Sequence, residues 1–320
     1  MAKISGDIKL AAEYLKKGEI IAIPTETVYG LAGNAFNETA VSKIFEAKKR
    51  PFFNPLIVHT NSIDKVFEFA ELAGSALKLA EKFWPGPLTL LLPKKELVPD
   101  IVTAGNPVIA VRIPGHPLTL KLLELITFPL SAPSANPFGY VSPTSAEHVN
   151  SQLGNTIPFI LDGGPCNIGI ESTIVGFDFE DNLLIYRVGG LSVEELEAET
   201  GKKAILLSEF EKLPKSPGRL QNHYATSTPL LIGEIKNLVK NYDPVKTGII
   251  SFKTTYPGIP VFQQMVLSLE GNLQEAAKNL FSAMRRLDTF NLDIILAEEF
   301  PEIGLGRAIN DRLKKASENK

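Results

Sequence analysis

The fold is decided by the stretch PTETVYGLAGNAFNETAVSKIFEAKKRPFFNPLIVHT, residues 24–60, which places polar and cationic side chains at the ends of regular elements. The apolar residues 20–23 before it predict a buried strand that ends at Pro24, so that residues 25–27 follow its carboxyl end. Ligands of open α/β sheets bind at such carboxyl ends. The stretch therefore predicts an α/β fold with a ligand site just after Pro24.

A short helix and a second strand follow in the same stretch. Val41 and Ile44 mark the apolar face of the helix, and Lys48 falls on that inward face in the last turn. A cation in that position needs an anion nearby, although a lysine in a last helical turn often interacts only with the helix dipole and the capping carbonyls. The strand at residues 56–58 delivers His59 to its end. Lys48 and His59 are thus candidate site residues.

Two further loops carry polar side chains between regular elements. They read SAPSANPFGYVSPTSAEHV, residues 131–149, and GGPCNIGIESTIV, residues 163–175. Thr144 with Glu147 predicts a helix capping box, so part of the serine and threonine content is structural. The remaining polar side chains include Ser131, Ser134, Asn136, Ser142 and Ser172. Three polar loops together predict one composite pocket.

The composition restricts the class of protein. A length of 320 residues exceeds the commonest domain size and predicts two domains. The single cysteine, Cys166, excludes an intramolecular disulfide framework. A net charge of −3 disfavours binding of a long nucleic-acid duplex but is compatible with a local basic pocket. The sequence shows neither a signal-peptide pattern nor the roughly 20 apolar residues of a membrane span, which predicts a cytoplasmic enzyme.

Helical and strand patterns alternate along the chain, which predicts α/β layers. Ser192 with Glu195 predicts a capped helix that closes a first domain. The stretch after it holds three prolines and no sustained periodicity in residues 207–230, which indicates a linker. We therefore predict a first domain at 1–202, a linker at 203–229 and a C-terminal α/β domain at 230–320.

Four blocks of sequence resemble the threonylcarbamoyl-AMP synthase family with a YrdC-type domain. The blocks are PTETVYGL (24–31), KKRPFFNPLIVH (48–59), VIAVRIPGHP (108–117) with SAPSAN (131–136), and GIESTIV (169–175). Residues 216–225, SPGRLQNHYA, resemble the linker of the two-domain members, and residues 285–317 resemble their C-terminal domain. The resemblance implies a YrdC-type twisted mixed-sheet domain with a concave pocket, followed by a smaller, Rossmann-like α/β domain.

The resemblance also implies a reaction, an adenylyl transfer by a nucleotidyltransferase. L-threonine and bicarbonate would give N-carboxythreonine, whose carboxylate attacks the α-phosphate of ATP. Threonylcarbamoyl-AMP and pyrophosphate leave, as the first step of threonylcarbamoyladenosine modification of tRNA. Mg²⁺ is expected to come with ATP, since the sequence shows no metal-ligand cluster. The expected partner is a downstream threonylcarbamoyl transferase that modifies tRNA, and direct binding of tRNA is not expected.

Residue roles follow from the family pattern. Lys48 and Arg50 would face the triphosphate as the catalytic cations. The nucleotide site would consist of Arg50, Asn54, Ser134, Asn136, Ser142, Arg187 and Tyr224. The L-threonine site would consist of Thr27, His59, Arg112 and Ser172. Arg112 interrupts an apolar strand and is expected to pair with the amino-acid carboxylate. The alternatives are an arginine at a water-exposed strand edge for Arg112 and a strand-end cap for His59.

The sequence departs from the family pattern at two places. KKRP at residues 48–51 replaces the usual KGRP, and HYAT at residues 223–226 replaces the usual HYAP. The missing proline concerns Tyr224, because this position folds over the nucleotide pocket in two-domain members and would exclude water there. Two other functions stay open, an RNA-binding module and a paralogue that binds nucleotide without turnover. The low net charge disfavours the RNA-binding module.

Overall fold

The computed structural model describes residues 1–207 and 224–318, which form two sheets with their helices. The strands of the first sheet are β1 (Lys3–Ser5), β2 (Ile21–Ile23), β3 (Gly30–Asn34), β4 (Ile57–His59), β5 (Leu88–Pro93), β6 (Val108–Arg112), β7 (Leu130–Ser131), β8 (Phe159–Leu161), β9 (Thr173–Phe177), β10 (Leu183–Arg187) and β11 (Ile205–Leu206). The helices of this part are α1 (Ile8–Lys16), α2 (Glu38–Lys48), α3 (Ile63–Phe69), α4 (Gly74–Phe83), α5 (Asp100–Thr103), α6 (Pro117–Glu124), α7 (Ala146–Leu153) and α8 (Val193–Thr200).

The strand order in the first sheet is β1-β8-β2-β3-β7-β4-β6-β5-β9-β10-β11. Parallel and antiparallel pairs alternate irregularly, since β4 pairs with β6 in parallel whereas β5 pairs with β6 antiparallel. The predicted mixed sheet is therefore confirmed. The pairing of β4 with β6 aligns His59 with Arg112, so two candidate site residues stand side by side at adjacent parallel strand ends.

Strand β2 is apolar throughout because it is covered on both faces. Ile21 and Ile23 pack in a cluster with residues of α1 and α6, whereas Ala22 faces a second cluster that contains Val41 and Ile44 of α2. A strand buried on both sides needs apolar side chains at every position, which is why this run shows no period-2 alternation. The chain then leaves the sheet at Pro24 and enters the loop of polar residues.

One of the two predicted capping boxes is confirmed. Ser192 and Glu195 form the predicted capping box at the start of α8. The capping box predicted for Thr144 and Glu147 is wrong, because Ser145 is the N-cap of α7 and accepts a hydrogen bond from the backbone amide three residues later. Either hydroxyl residue satisfies the local sequence rule, and the path of the chain selects the second.

The second sheet belongs to the C-terminal part of the chain and is parallel, in the order β12-β15-β13-β14. Its elements are β12 (Leu230–Ile232), α9 (Ile235–Leu238), β13 (Thr247–Ser251), β14 (Gln264–Val266), α10 (Leu273–Leu287), β15 (Ile294–Ala297) and α11 (Gly306–Ser317), with 3-10 turns at Val239–Asn241, Pro244–Lys246 and Val261–Gln263. Ile249 and Ile250 of β13 face different apolar clusters, so both faces of this sheet are covered as well. The smaller α/β domain is confirmed.

The cluster under α10 and α11 also includes residues of the first domain, namely Val28, Val141 and Ile170. These three residues lie in the polar loops that follow β2, β7 and β8, so the C-terminal domain packs directly on the loops of the predicted pocket. The predicted linker at 203–229 falls largely on residues 208–223, which lie outside the described residues, and its limits stay a prediction. In the described ranges 1–207 and 224–318, no helix is long and apolar enough to cross a membrane.

Candidate active site

A cleft lies where β2, β4, β6 and β10 end, and all three polar loops of the sequence contribute to it. Its lining residues are Thr25, Thr27, Val28, Gly30, Arg50, Ile57, His59, Arg112, Ala132, Pro133, Ser134, Glu171, Ser172 and Arg187. The composite pocket therefore brings together most of the candidate residues. Lys48, Asn54, Asn136, Ser142 and Tyr224 are candidates that do not line it.

Arg112 lies at the floor of the cleft and is 3% exposed, so the alternative of a water-exposed strand edge is wrong. Its Nε donates to the carbonyl of Gly86 at 3.1 Å, and its Nη1 donates to Oγ1 of Thr27 at 2.9 Å. Nη2 lies 2.7 Å from Oε1 of Glu26, an ion pair without hydrogen-bond alignment. The guanidinium is thus fixed in position while Nη2 keeps N–H groups for a ligand carboxylate.

His59 is buried beside Arg112 and is neutral. Its Nδ1 lies 3.2 Å from the carbonyl oxygen of Ile57, and because a carbonyl only accepts, Nδ1 carries the proton. Burial and then the charge of Arg112 lower the pKa of His59 to about 3. The cleft thus holds a neutral imidazole next to a fixed cation, a pair that suits the polar and charged groups of an amino acid.

The depressed pKa of His59 predicts a stability that falls in acid. In the unfolded chain His59 has its usual pKa of 6.5, so below that pH the unfolded chain binds a proton that the folded chain does not bind. Between pH 7 and pH 5 this difference should lower the free energy of unfolding by about 2 kcal/mol. We expect the free energy of unfolding of His59→Asn, measured with urea at pH 7 and at pH 5, to fall by about 2 kcal/mol less between the two pH values than that of the wild type. Equal losses in both proteins would show that the folded protein accepts the proton.

Arg50 and Arg187 supply two further cations, and neither is paired with a carboxylate among the described residues. Arg50 donates to the carbonyls of Asn54 at 3.2 Å and Pro55 at 2.9 Å. Burial and then the charge of Arg187 lower the pKa of Arg50 to about 9, so it stays charged at neutral pH. Burial likewise lowers the pKa of Arg187. Two buried cations with no carboxylate at ion-pair distance among the described residues favour a ligand that carries several negative charges.

Ser172 connects the two halves of the cleft. Its Oγ lies 2.7 Å from Oγ1 of Thr89, and Nη2 of Arg187 donates to it at 3.1 Å. Nε and Nη2 of Arg187 also donate to the Ser172 carbonyl, at 3.0 and 2.9 Å. The hydroxyl predicted to meet L-threonine and the arginine predicted to meet the nucleotide are therefore in direct contact.

Lys48 lies behind the cleft rather than in it. The side chain is buried as the helical pattern predicted, but its Nζ donates to the backbone carbonyls of Ser134 and Asn136 instead of facing an anion. Burial and the charge of Arg50 lower the pKa of Lys48. In this structure Lys48 holds the loop at residues 131–149, the serine-rich loop, against α2. Its predicted contact with the triphosphate stays a prediction.

Asn54 is 0% exposed, and neither its Oδ1 nor its Nδ2 has a hydrogen-bond partner among the described residues. An unsatisfied buried amide costs stability, so it suits a group that meets a ligand. Asn136 is similar, because its Nδ2 donates to the carbonyls of Pro137 and Tyr140 while its Oδ1 is unpaired. Both residues stay predicted contacts of ATP.

Replacing Asn54 with leucine should separate binding from folding. The leucine removes two unsatisfied polar atoms at nearly constant volume, so we expect the free energy of unfolding to stay level or rise by about 1 kcal/mol. The KM for ATP should rise at least about tenfold. The matched control is Asn279→Leu, which removes an amide that donates to the carbonyl of Leu267 at 2.8 Å and lies outside the cleft. Asn279→Leu should lower the free energy of unfolding and leave the KM for ATP unchanged. An unchanged KM for ATP in Asn54→Leu, together with a lower free energy of unfolding, would contradict the role of Asn54 in binding.

The last two candidates lie at the junction with the C-terminal domain. Ser142 donates from Oγ to Oε1 of Glu171 at 2.6 Å. Tyr224 is buried, has a φ of +65°, and stacks on Phe281 with ring centroids 5.4 Å apart. Tyr224 thus packs against the C-terminal domain, and its predicted contact with the nucleotide stays a prediction. His223, the first residue of the HYAT motif, lies outside the described residues.

Sequence reasoning missed two buried charged residues around the cleft, Glu171 and Arg312, and it placed Glu26 in the predicted ligand loop without giving it a role. The signal for Arg312 was present, because it falls four residues after Ala308 and four before Ala316 on the apolar face of α11. Glu26 and Glu171 lie in loops, where no period marks the inward side. Within the described part of the chain, no group of three or more His, Cys, Asp or Glu residues is placed to hold a metal ion.

Comparison with known proteins decides the family. The family model described as "Telomere recombination" matches residues 13–189, and the model described as "Threonylcarbamoyl-AMP synthase, C-terminal domain" matches residues 191–318. The threonylcarbamoyl-AMP synthase of Pyrococcus abyssi is 42% identical over 325 aligned residues, which cover 97% of this chain and 94% of that protein. The chain belongs to the threonylcarbamoyl-AMP synthase family.

A further relative and a solved structure agree with this family. The threonylcarbamoyl-AMP synthase of Bacillus subtilis is 41% identical, over 97% of this chain and 92% of that protein. The crystal structure of P. abyssi Sua5 complexed with L-threonine superimposes with a TM-score of 0.89 at 38% identity, covering 99% of this chain and 97% of that one. The similarity extends over both domains, so the family fold and its two-domain organisation are those of this chain.

Proposed function

We propose that this chain is a threonylcarbamoyl-AMP synthase, an enzyme that converts L-threonine, bicarbonate and ATP into threonylcarbamoyl-AMP and pyrophosphate, in the first step of threonylcarbamoyladenosine modification of tRNA. One observation carries the function: a fixed cation next to a neutral imidazole, Arg112 and His59, opens into the same cleft as two buried cations, Arg50 and Arg187, that have no carboxylate at ion-pair distance in the part of the chain that the structure describes. The first pair suits an amino acid, and the second pair suits the phosphates of a nucleotide.

The first chemical step joins the amino group of L-threonine to the carbon of bicarbonate. The ammonium form of threonine and bicarbonate give N-carboxythreonine, water and one proton: the nitrogen loses one proton before it attacks the carbon, and a second one after the C–N bond has formed, when an oxygen of bicarbonate leaves as water. Nη2 of Arg112 would hold the threonine carboxylate, with Thr27, His59 and Ser172 around the rest of the molecule. These contacts orient the nitrogen and exclude water, which is the contribution that fixed polar groups make to such a step.

The second step is an adenylyl transfer, which makes the enzyme a nucleotidyltransferase. A carboxylate oxygen of N-carboxythreonine forms a bond to the α-phosphorus of ATP, and the bond from that phosphorus to the bridging oxygen of pyrophosphate breaks. Negative charge grows on the departing pyrophosphate, and Arg50 with Arg187 would neutralise it. Asn54, Ser134, Asn136 and Ser142 would hold the nucleotide, and Lys48 would act by keeping the serine-rich loop in place.

Mg²⁺ would enter as part of the substrate, bound to the phosphates of ATP. The lining residues are mainly cations, hydroxyls and apolar groups, and the lining carboxylate, Glu171, is already paired with Arg312. Mg²⁺ usually keeps several waters and takes one or two carboxylates in addition to phosphates, so the described cleft offers no resident site for it. The downstream transferase that receives threonylcarbamoyl-AMP remains the expected partner.

The test is release of pyrophosphate from a mixture of protein, MgATP, L-threonine and bicarbonate, with each substrate omitted in turn and L-serine as a decoy. Release that requires both threonine and bicarbonate is the expected result. Orthophosphate in place of pyrophosphate would contradict attack at the α-phosphate. Tight binding of ATP with no release would favour the non-catalytic paralogue, and salt-sensitive binding of tRNA without ATP would favour the RNA-binding module.

A further inference from the structure

A buried ion pair joins the two domains at the wall of the cleft. Arg312 of α11 is 0% exposed, and its Nε lies 3.1 Å from Oε2 of Glu171. Its Nη1 donates to the carbonyl of Val188 at 2.8 Å and to Oδ2 of Asp311 at 2.7 Å. The ring of Tyr224 lies 5.3 Å from its Cζ. Burial alone would lower the pKa of Arg312, but Tyr224, Glu171 and Asp311 together raise it above its ordinary value, so the residue stays charged.

The partner of Arg312 reaches into the cleft. Glu171 is a lining residue, and its other oxygen, Oε1, accepts the hydrogen bond from Oγ of Ser142 at 2.6 Å. A carboxylate held by an arginine on one oxygen has a fixed position for the other. The C-terminal domain therefore sets the orientation of the Ser142 hydroxyl through Glu171.

A second arginine of the C-terminal domain holds the same loop from its backbone side. Arg285 of α10 donates from Nε to the carbonyl of Ser142 at 3.2 Å and from Nη2 to the carbonyl of Val141. Its Cζ lies 5.1 Å from the ring centre of Tyr140. The backbone of Ser142 is thus held directly by Arg285, and its side chain is bonded to a carboxylate that Arg312 holds.

We infer that the contact chain from Arg312 through Glu171 to Ser142 makes the C-terminal domain part of the nucleotide site, with Arg312 as a positioning residue for binding of ATP. This inference rests on the proposed function, in which Ser142 contacts ATP. The C-terminal domain then does more than cover apolar surface, because Arg312 holds Glu171, a lining residue of the cleft, and Glu171 accepts the hydrogen bond of the buried Ser142 hydroxyl behind the lining. Glu171 is buried in the wall of the cleft, and a buried carboxylate needs a cation as its partner, which Arg312 supplies.

The test replaces Arg312 by methionine and by lysine. Arg312→Met should raise the KM for ATP about tenfold or more, because it removes the cation that holds Oε2 of Glu171, the acceptor of the Ser142 hydrogen bond. The turnover number at saturating ATP and the KM for L-threonine should change much less. Arg312→Lys keeps the buried charge and should recover part of the affinity for ATP. The matched control is Arg307→Ala, since Arg307 also lies on α11 and also pairs with the first domain, through Glu194, but at the exposed rim. It should leave the KM unchanged.

A double-mutant cycle separates positioning from general loss of structure. If Arg312 acts through Ser142, the change from arginine to lysine should raise the KM for ATP in the wild type but not in a Ser142→Ala background. Equal effects in both backgrounds, or equal changes in the KM values of ATP and L-threonine, would overturn the inference. The lysine variant retains the cation, so the cycle stays informative should the methionine variant fail to fold.

Failure of the proposed function gives a different result. If the wild type binds ATP but releases no pyrophosphate, the synthase function is wrong, and the same variants are compared by their equilibrium dissociation constants for ATP. An unchanged dissociation constant in Arg312→Lys and Arg312→Met would then overturn the inference, and a rise that disappears in the Ser142→Ala background would support it. A wild type that binds no ATP would overturn both.

Discussion

Replacing Arg112 with alanine is expected to destabilise the protein and to abolish its turnover of L-threonine. The side chain balances the buried carboxylate of Glu26 at 2.7 Å, and removing one partner of a buried ion pair typically costs about 3–5 kcal/mol. The kcat/KM for L-threonine should also fall, by at least about a hundredfold, because the predicted partner of the substrate carboxylate is gone. Urea unfolding and steady-state kinetics measure the two effects.

A second substitution separates these two effects. In the double variant Arg112→Ala with Glu26→Gln, the uncompensated carboxylate is gone, so most of the lost free energy of unfolding should return. The activity should not return, because the amide of glutamine supplies no cation for the substrate. Recovery of activity together with stability would show that Arg112 acts only on the fold and would remove it from the threonine site.

The second large effect is expected for Arg50→Ala. Arg50 lines the cleft, lacks a carboxylate partner among the described residues, and holds the carbonyls of Asn54 and Pro55. Its loss removes a planar donor for phosphate oxygens and loosens the turn that carries the unpaired amide of Asn54. We expect kcat/KM for ATP to fall at least about a hundredfold, as for other truncated charge-assisted hydrogen bonds.

Two variants control for charge. Lys49→Ala removes the neighbouring cation, which is exposed at the end of α2, and should change kcat/KM for ATP no more than about twofold because exposed charges are screened. Arg50→Lys keeps the charge without the planar fork and should recover only part of the activity. If Lys49→Ala lowers kcat/KM for ATP as much as Arg50→Ala does, the positive charge of the loop as a whole attracts ATP, and Arg50 makes no specific contact with it.

The sequence predicted those features that depend on local period and on strand ends. The apolar face of α2 placed Lys48 inward, and the end of the strand at Pro24 located the cleft, both as the structure has them. Such predictions succeed because burial on one face of a helix or both faces of a strand leaves a repeat that can be read from a short stretch.

Contacts between distant segments could not be predicted in this way. The partner of Lys48 was expected to be an anion, but the structure supplies carbonyl oxygens of a loop 86 residues further along the chain. Likewise, nothing local to Arg312 indicates that its partner is Glu171, 141 residues earlier. The choice of partner for a buried charge is made by the packing of the whole chain, which no short pattern records.

If one cleft builds a threonylcarbamoyl adenylate, the carbon of bicarbonate must appear in the adenylated product, and the mass of the product formed with ¹³C-labelled bicarbonate shows whether it does. We expect threonylcarbamoyl-AMP that is one mass unit heavier than with unlabelled bicarbonate, formed together with pyrophosphate. An adenylate of threonine that lacks the bicarbonate carbon, or ADP and orthophosphate as the nucleotide products, would contradict this expectation.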